Sequence, residues 1–390
     1  MDKVDFLIIG GGVAGLTAAI SLHKIGIDAT VYERATKLTG IGAGFGFAAN
    51  AMKAFEILGM KDGIVPLGHY LDSYEILDKH GTVLASPNTQ AISSKYNEDN
   101  FAIHRGELHQ HLLAQIAPSK IHLGKSAVRL EQEKSLIRVY FSDDTVVECT
   151  ALLIADGVKS TLRQQLVPSS KPRYSGYTCW RGVIDNSKIN LKIGSETWGK
   201  DGRFGMTPLV GNKIYWYACI NSLPNNSTFA NFTVADLSKH FASYHHPIPQ
   251  IISETKDEEL IWNDIIDIKP LKHLAYGRIL LIGDAGHATT PNLGQGACQA
   301  IEDVAVLIDE LKKEQSVENA FSQFENRRLA RTTYITKTSW QIGKISQWEN
   351  SFLVYARNGF MKLLPESVKQ KTLQKLLEVN FMEINTNHGK

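Results

Sequence analysis

Two aspartates, Asp156 and Asp284, each close an apolar run and stand beside a glycine. The first run spans residues 151–155 and leads into Gly157, Ser160 and Arg163. The second spans residues 277–283 and leads into Pro291, Gly294, Gln295, Gly296 and Ala297. A carboxylate at the end of a buried strand can accept hydrogen bonds from the hydroxyls of a ligand laid across the sheet edge. A third run, residues 5–9, meets Gly10, Gly11, Gly12, Val13, Ala14 and Gly15, a GxGxxG pattern. Such glycines let backbone N–H groups approach a pyrophosphate at the positive end of a helix. Glu33, followed by Arg34, ends the next strand-like stretch, where a carboxylate can bind ribose hydroxyls.

Alone, the glycine pattern serves NAD, NADP and FAD alike, and either aspartate alone reads as readily as a helix N-cap. Taken together they favour FAD. Its ribityl chain and pyrophosphate run far across a sheet edge and call for additional acidic strand ends, which a plain NAD dehydrogenase does not need. The helix that opens at Gly296 offers N–H groups to negative charge on the flavin N1–C2=O edge.

The elements that must carry these groups follow from periodicity. Residues 5–9 read as a buried strand, 13–24 as a helix and 28–33 as a second strand, a βαβ unit that implies a parallel sheet. Residues 105–116 read as a helix, and 127–148 as antiparallel strands turning near 142–144. After Pro172 the composition shifts. Residues 176–185, 197–208 and 213–221 are aromatic and β-branched and predict an antiparallel sheet, crossed by a helix over 234–244. The βα pattern returns at 277–283, and helices are expected beyond Glu302. The fold class is therefore α/β: a Rossmann-like FAD-binding domain with an inserted, mainly antiparallel β substrate domain and a C-terminal helical segment. The expected spans are 1–71, 101–171 and 271–345 for the first domain, 72–100 and 172–270 for the second, and 346–390 for the terminal helices. A cleft between the domains is the natural substrate site.

A net charge of +2 on 390 residues gives no reason to invoke nucleic acid or an anionic membrane surface. The four cysteines, Cys149, Cys179, Cys219 and Cys298, contain no CxxC pair, so no zinc site or disulfide framework is expected, and reduced thiols imply a cytoplasmic protein. Residues 6–22 superficially suggest a signal peptide, but glycines punctuate them and no cleavage site follows. No later stretch is long and apolar enough to span a bilayer.

The ordered triple of the GxGxxG, Asp156-Gly157 and Gly283-Asp284 segments resembles the single-component FAD-dependent aromatic hydroxylases, the group of para-hydroxybenzoate hydroxylase. The nearest branch looks like the salicylate hydroxylases, zeaxanthin epoxidases and FAD-dependent urate hydroxylases, through Gly176-Tyr177-Thr178-Cys179-Trp180-Arg181-Gly182 and Pro291-Asn292-Leu293-Gly294-Gln295-Gly296. The resemblance implies a monooxygenase that uses NAD(P)H and O2 to hydroxylate a small aromatic or heteroaromatic compound through a flavin C4a-hydroperoxide. It has no separate nicotinamide domain and acts as a monomer or homodimer. Tetracycline-type antibiotic inactivation and a non-catalytic flavin sensor are the alternatives.

Carried over residue by residue, Asp156 and Arg163 would serve the pyrophosphate region and the reduction step, and Arg105 would contact FAD. Gly46 and Ala127 would lie near the ribityl chain and adenine. Arg203 and Tyr215 match an arginine and a tyrosine that act on the substrate in urate hydroxylases. A three-residue loop at 210–212 puts the two on one face of a hairpin; a two-residue loop puts them on opposite faces. Their plain structural reading is a surface arginine and a core tyrosine. Asn292 departs from the acidic residue of the urate enzymes, so the resemblance does not extend to urate itself. His287 and Cys298 read as structural, and residues 352–377 as an amphipathic stretch docking on the protein's own core or on a partner subunit.

Overall fold

The computed structural model describes residues 2–38, 44–71, 73–87, 90–133 and 136–381. β1 (Asp2–Ile9), the helix Val13–Lys24 and β2 (Ala29–Glu33) form the first βαβ unit, with β2 parallel to β1. β3 (Gly44–Phe47) and β4 (Gly68–Tyr70) are short, and β5 (Tyr74–Asp78) pairs with β6 (Val83–Ala85). β7 (Phe101–His104) runs into the helix Arg105–Leu113. Then come β8 (Ile121–Leu123), β9 (Ala127–Glu133), β10 (Leu136–Phe141) and β11 (Val146–Ile154).

The second domain contributes β12 (Arg173–Asp185), β13 (Gly194–Gly199), β14 (Gly202–Leu209), β15 (Lys213–Asn221) and β16 (Ile261–Asp267). β17 (Ala275–Tyr276) and β18 (Ile279–Leu281) return the chain to the first domain.

The first sheet runs β17-β18-β11-β1-β2-β8, with β10 joining β11 to β9. β18, β11, β1, β2 and β8 are mutually parallel. Leu7, Ile8, Leu152, Leu153, Leu280 and Leu281 are fully buried, as expected where helices cover both faces of a parallel sheet. Ile9 is level with Ile154, and Ile154 with Leu281, so the carboxyl ends of three strands line up. Gly10, Asp156 and Asp284 thus leave the sheet from one edge, the edge at which open α/β sheets bind ligands.

The second sheet runs β16-β12-β15-β14-β13-β5-β6, and β5 and β6 bring part of the 72–100 segment into it. One face packs Trp180, Phe204, Met206, Ile214 and Trp216 beneath the helices Val234–His240 and Ile248–Ser253. Phe204 and Trp216 stack at 5.3 Å. Because side chains alternate, Tyr177, Cys179, Arg181, Arg203, Tyr215, Tyr217 and Cys219 occupy the opposite face. A small sheet, β3-β7-β4, bridges the domains. A Cβ on Gly44 would stand 3.0 Å from the Tyr215 Cβ and 3.1 Å from Leu209, so only glycine lets β3 approach this face so closely.

The 30-residue helix Val317–Ser346 spans both domains, and its C-cap, Gln347, bonds Arg203 and Asn221 of the second sheet. In the next helix, Ser351–Leu363, Arg357 is buried and donates to the carbonyls of Ser346 (3.0 Å) and Trp198 (3.3 Å). Only that face docks on the protein; Phe352, Tyr355, Phe360 and Leu363 are exposed. No helix among the described residues is long and apolar enough to cross a membrane.

Candidate active site

The glycine loop is shaped by contacts that exclude side chains. Gly10 has φ +111°, and a Cβ there would strike the Ala155 carbonyl; a Cβ on Gly15 would strike the Gly10 carbonyl oxygen. The space beside Gly12, the N-cap of the helix Val13–Lys24, is open. Ala14 is buried and packs within 2.9 Å of where a Gly283 side chain would be, which ties the first strand end to the third. Both Glu33 carboxylate oxygens accept backbone N–H bonds, from Gly11 at 2.6 Å and Ala35 at 2.8 Å. The carboxylate is therefore fixed at the loop with lone pairs to spare for hydroxyl donors. Arg34 is exposed and close enough to Asp156 to favour its charged form.

Asp156 is half-buried, and its Oδ1 is buried without a hydrogen-bond partner. Neither aspartate caps a helix: Ser160 caps Thr161–Leu166 and Gly283 precedes Asp284–His287. Burial raises both carboxyls above their ordinary range. For Asp284 the charges of His287, Arg105 and Arg163 partly offset that rise. Asp284 is solvent-accessible yet densely surrounded by protein, the signature of a group on a cavity wall. Its carboxylate makes no hydrogen bond among the described residues.

Arg163 lies between the two aspartates electrostatically but does not face a ligand. It is fully buried, and its donors go to Ser170, Val158, Gly157 and Ala285. It is a positioning residue that straps the Asp156 loop to the Asp284 loop.

Pro291–Leu293 forms a tight turn, and Gly294, with φ +63°, leads through Gln295 into the helix Gly296–Lys313. No side chain caps that helix, so the first N–H groups at Gly296 and Ala297 are free for an anion. The Gln295 side chain is buried, accepting from Asn50 and Gln299 at 3.0 Å each, so only its backbone faces the cleft. Behind it lies a buried charged network. Arg328 pairs with Glu302 and Asp303, Arg331 pairs with Glu302, and His287 bonds Asp303 at 2.6 Å. Asp303 also accepts the Gly283 N–H at 2.8 Å, which fixes the turn before Asp284. His287 is thus structural. The Cys298 thiol accepts from Ala48 N–H at 3.4 Å and is equally enclosed.

On the second sheet, β14 and β15 are joined by the three residues 210–212, so Arg203 and Tyr215 share a face. They do not meet. Arg203 stands opposite Cys219 and Tyr215 opposite Thr207, four residues along the strands, or roughly 13 Å. Arg203 is 1% exposed, ion-paired to Glu196 at 3.1 Å and bonded to Gln347 at 3.0 Å. Tyr215 is half-buried, and Arg105 lies in electrostatic range of both Tyr215 and Asp284. The exposed guanidinium of Arg105, at the first turn of its helix, therefore sits where the two sheets face each other. Gly46 is exposed on β3 opposite Ala102, and Ala127 is buried at the start of β9.

A family model described as an FAD binding domain matches residues 3–339. The chain belongs to the FAD-binding-domain family of flavoprotein monooxygenases. It is 34% identical to the aurachin C monooxygenase/isomerase of Stigmatella aurantiaca, over 92% of this chain and 94% of that one. Identity to the 2-heptyl-3-hydroxy-4(1H)-quinolone synthase of Pseudomonas aeruginosa is 33%, over 95% and 97%. Klebsiella pneumoniae HpxO, solved in complex with FAD and uric acid, superposes with a TM-score of 0.87 at 25% identity, covering 96% and 97%.

The residues present fit the cofactor. The orphaned Asp156 oxygen, the unbonded Asp284 carboxylate, the open space at Gly12 and the uncapped helix at Gly296 supply acceptors and N–H donors along one edge. The protein is an FAD-dependent monooxygenase. Sequence reasoning missed Arg181, which stands opposite Tyr217 on the cleft-facing side and has no carboxylate partner among the described residues. It donates a long hydrogen bond, 3.4 Å, to Asn263. The alternating pattern of β12 was enough to place Arg181 on the face of Tyr177 and Cys179.

Proposed function

We propose that this monooxygenase takes electrons from NAD(P)H and hydroxylates a bicyclic heteroaromatic of the 4-quinolone type, bound between the flavin and the Arg181–Tyr215 face. The observation that carries this reading is Arg181, a half-buried guanidinium beside Tyr215 and Cys179 whose charge no carboxylate neutralises among the described residues. Arg203, by contrast, is neutralised by Glu196. A cation so placed favours the anionic form of a ring oxygen, which enriches the ring in electrons for attack by an electrophilic oxygen. The relatives named for a 3-hydroxylated 4-quinolone, 32–33% identical to this chain, support that substrate class.

FAD, when bound, supplies the activation of oxygen. The chain's own groups orient and shield. Burial raises the Tyr215 phenol above its ordinary range, with Arg181 pulling the other way, so the hydroxyl stays protonated and donates to the substrate. The Tyr217 ring lies over Gly205, where a Cβ would collide with it, and with the neighbouring Tyr74 closes one side of the cleft. Asn292 is held by Tyr177 at 2.9 Å and by Ser339 at 2.9 Å, and brings no carboxylate base to this wall. Asp284, Arg105 and the Gly296 N–H groups hold the flavin side.

The test is a panel of quinolones, phenols, purines and tetracyclines on FAD-reconstituted protein, reading NAD(P)H oxidation and product mass. Quinolones are expected to stimulate oxidation and to gain one oxygen. Coupled oxygenation of another class with quinolones inert overturns the substrate assignment. Stimulation without an oxygenated product marks uncoupling and counts against it as well.

A further inference from the structure

Cys179 on β12 stands directly opposite Cys219 on β15. The hydrogen bonds at the two ends of this ladder define the kind of rung they share. Ser222 N–H donates to the Gly176 carbonyl at 3.1 Å, and Asn186 N–H to the Asn212 carbonyl at 2.7 Å. Antiparallel rungs alternate between hydrogen-bonded and non-hydrogen-bonded pairs. The register is unbroken from Tyr177↔Asn221 to Asp185↔Lys213, so even-numbered residues of β12 occupy hydrogen-bonded rungs and odd-numbered ones the others. Cys179 and Cys219 therefore form a non-hydrogen-bonded pair, with Cα atoms about 4.5 Å apart. That separation lies inside the range a disulfide spans, about 4.4–6.8 Å between Cα atoms. The Cys179 thiol donates to the Trp180 carbonyl at 3.4 Å, and the two thiols are near enough to bias each other's protonation.

The pair lies on the cleft-facing side of the sheet, packed with Tyr177, Ile265 and Tyr217. It is buried, which keeps bulky thiol reagents out, but a peroxide is close to water in size. The neighbouring Cys219, then the nearby Arg181 and Arg203, draws the Cys179 thiol below its ordinary range. Cys219 is pushed up by Cys179 and by burial. The other two cysteines lack such surroundings, and burial pushes Cys149 and Cys298 up to about 12. Two opposed cysteines packed only as small apolar fillers would not need two arginines beside them.

We propose that Cys179 and Cys219 are an oxidisable dithiol in the floor of the substrate cleft, which hydrogen peroxide converts to a reversible cross-strand disulfide. The Cys179 thiolate attacks one peroxide oxygen, the O–O bond breaks, and the departing hydroxide takes a proton to leave as water, giving a sulfenic acid. The Cys219 sulfur then attacks the Cys179 sulfur; the S–S bond forms, the S–O bond breaks, and the Cys219 proton leaves with the hydroxide as a second water. Two thiols are oxidised by two electrons and one peroxide is reduced. The step requires neither the quinolone assignment nor bound substrate.

FAD-loaded protein treated with stoichiometric hydrogen peroxide, then acid-quenched and alkylated, provides the test. Titratable thiols should fall from four to two, the intact mass should drop by two hydrogens, and digestion should yield one peptide linking Cys179 to Cys219. Dithiothreitol should restore all four. In Cys219→Ser, a sulfenic acid on Cys179 should be trapped by dimedone. If that variant does not fold, the wild-type thiol count and linked peptide decide. Four thiols surviving peroxide in folded protein, a bridge through Cys149 or Cys298, or sulfinic acid without a bridge would each overturn the proposal.

Discussion

Replacing Asp284 with asparagine should move flavin affinity and protein stability in opposite directions. The carboxylate bonds nothing among the described residues and caps no helix, so its free acceptors face the cleft. A hydrogen bond to a charged partner contributes about 1.5–3 kcal/mol. At about 1.4 kcal/mol per decade, Asp284→Asn should weaken FAD binding roughly 10- to 100-fold. Without flavin the sign reverses. Burial raises the folded-state pKa of Asp284 above 3.8, so ionising it costs the folded state stability as pH climbs from 3.8 through the raised value. Asparagine does not titrate. The flavin-free variant should match the wild type below pH 3.8 and exceed it at neutral pH.

Two measurements check this: fluorescence-quenching titration with FAD, and thermal unfolding of flavin-free protein at acidic and neutral pH. Unchanged FAD affinity refutes the ligand role. A loss of flavin-free stability of the same size at both pH values refutes it too, because that is the behaviour of a structural hydrogen bond.

Arg203→Met should destabilise the protein by about 3–5 kcal/mol in urea unfolding, because it strands Glu196 as a buried unpaired charge. Pairing it with Glu196→Gln should recover part of that loss, an outcome a purely catalytic arginine would not give. Tyr215→Phe should lower kcat about 10-fold or more with FAD affinity intact. Because burial raises the phenol, no Tyr215 step should appear in the wild-type pH–rate profile between neutrality and pH 10. Arg181→Gln should raise KM for acidic heteroaromatics more than for neutral phenols, read by initial rates across the panel. Burial pushes Glu302 up, but Arg331 and Arg328 outweigh it and hold the carboxyl at about 2. Its stabilisation is therefore complete above pH 4.5 and lost as pH falls towards 2, so Glu302→Gln should destabilise at neutral pH and converge with the wild type in acid-unfolding curves.

The edge that gathers the three strand ends was legible because its determinants are local. Gly10, Asp156 and Asp284 each follow their own apolar strand, and parallel strands of similar length end level with one another. The sequence left the faces of Arg203 and Tyr215 to the loop length, and the three-residue loop of the structure puts them on one face. Their separation and partners were not legible. Glu196 comes from the neighbouring strand and Gln347 from the end of a helix 144 residues away, and no periodicity reports such contacts. The β3-β7-β4 sheet also escaped notice. Its strands are four residues or fewer, too short for alternation to register, yet it carries Gly46 and delivers Arg105 to the cleft.

The family resemblance singled out Arg163 and Arg203 as site residues, but the structure divides the arginines by what already satisfies them. A guanidinium has five donors. Those of Arg163 go to the Asp156 loop, the Asp284 loop and Ser170, and those of Arg203 to Glu196 and Gln347, so both hold the walls of the cleft and neither is free to bind an anion. Arg105 bonds nothing among the described residues and Arg181 makes one long contact, and these two face the cleft from opposite sides. Asp284 answers Arg105 at the strand edge, while among the described residues no carboxylate answers Arg181 on the sheet side. The unbalanced positive charge therefore lies on the sheet face proposed for the substrate, and a cation there would favour a ring that can carry a negative charge.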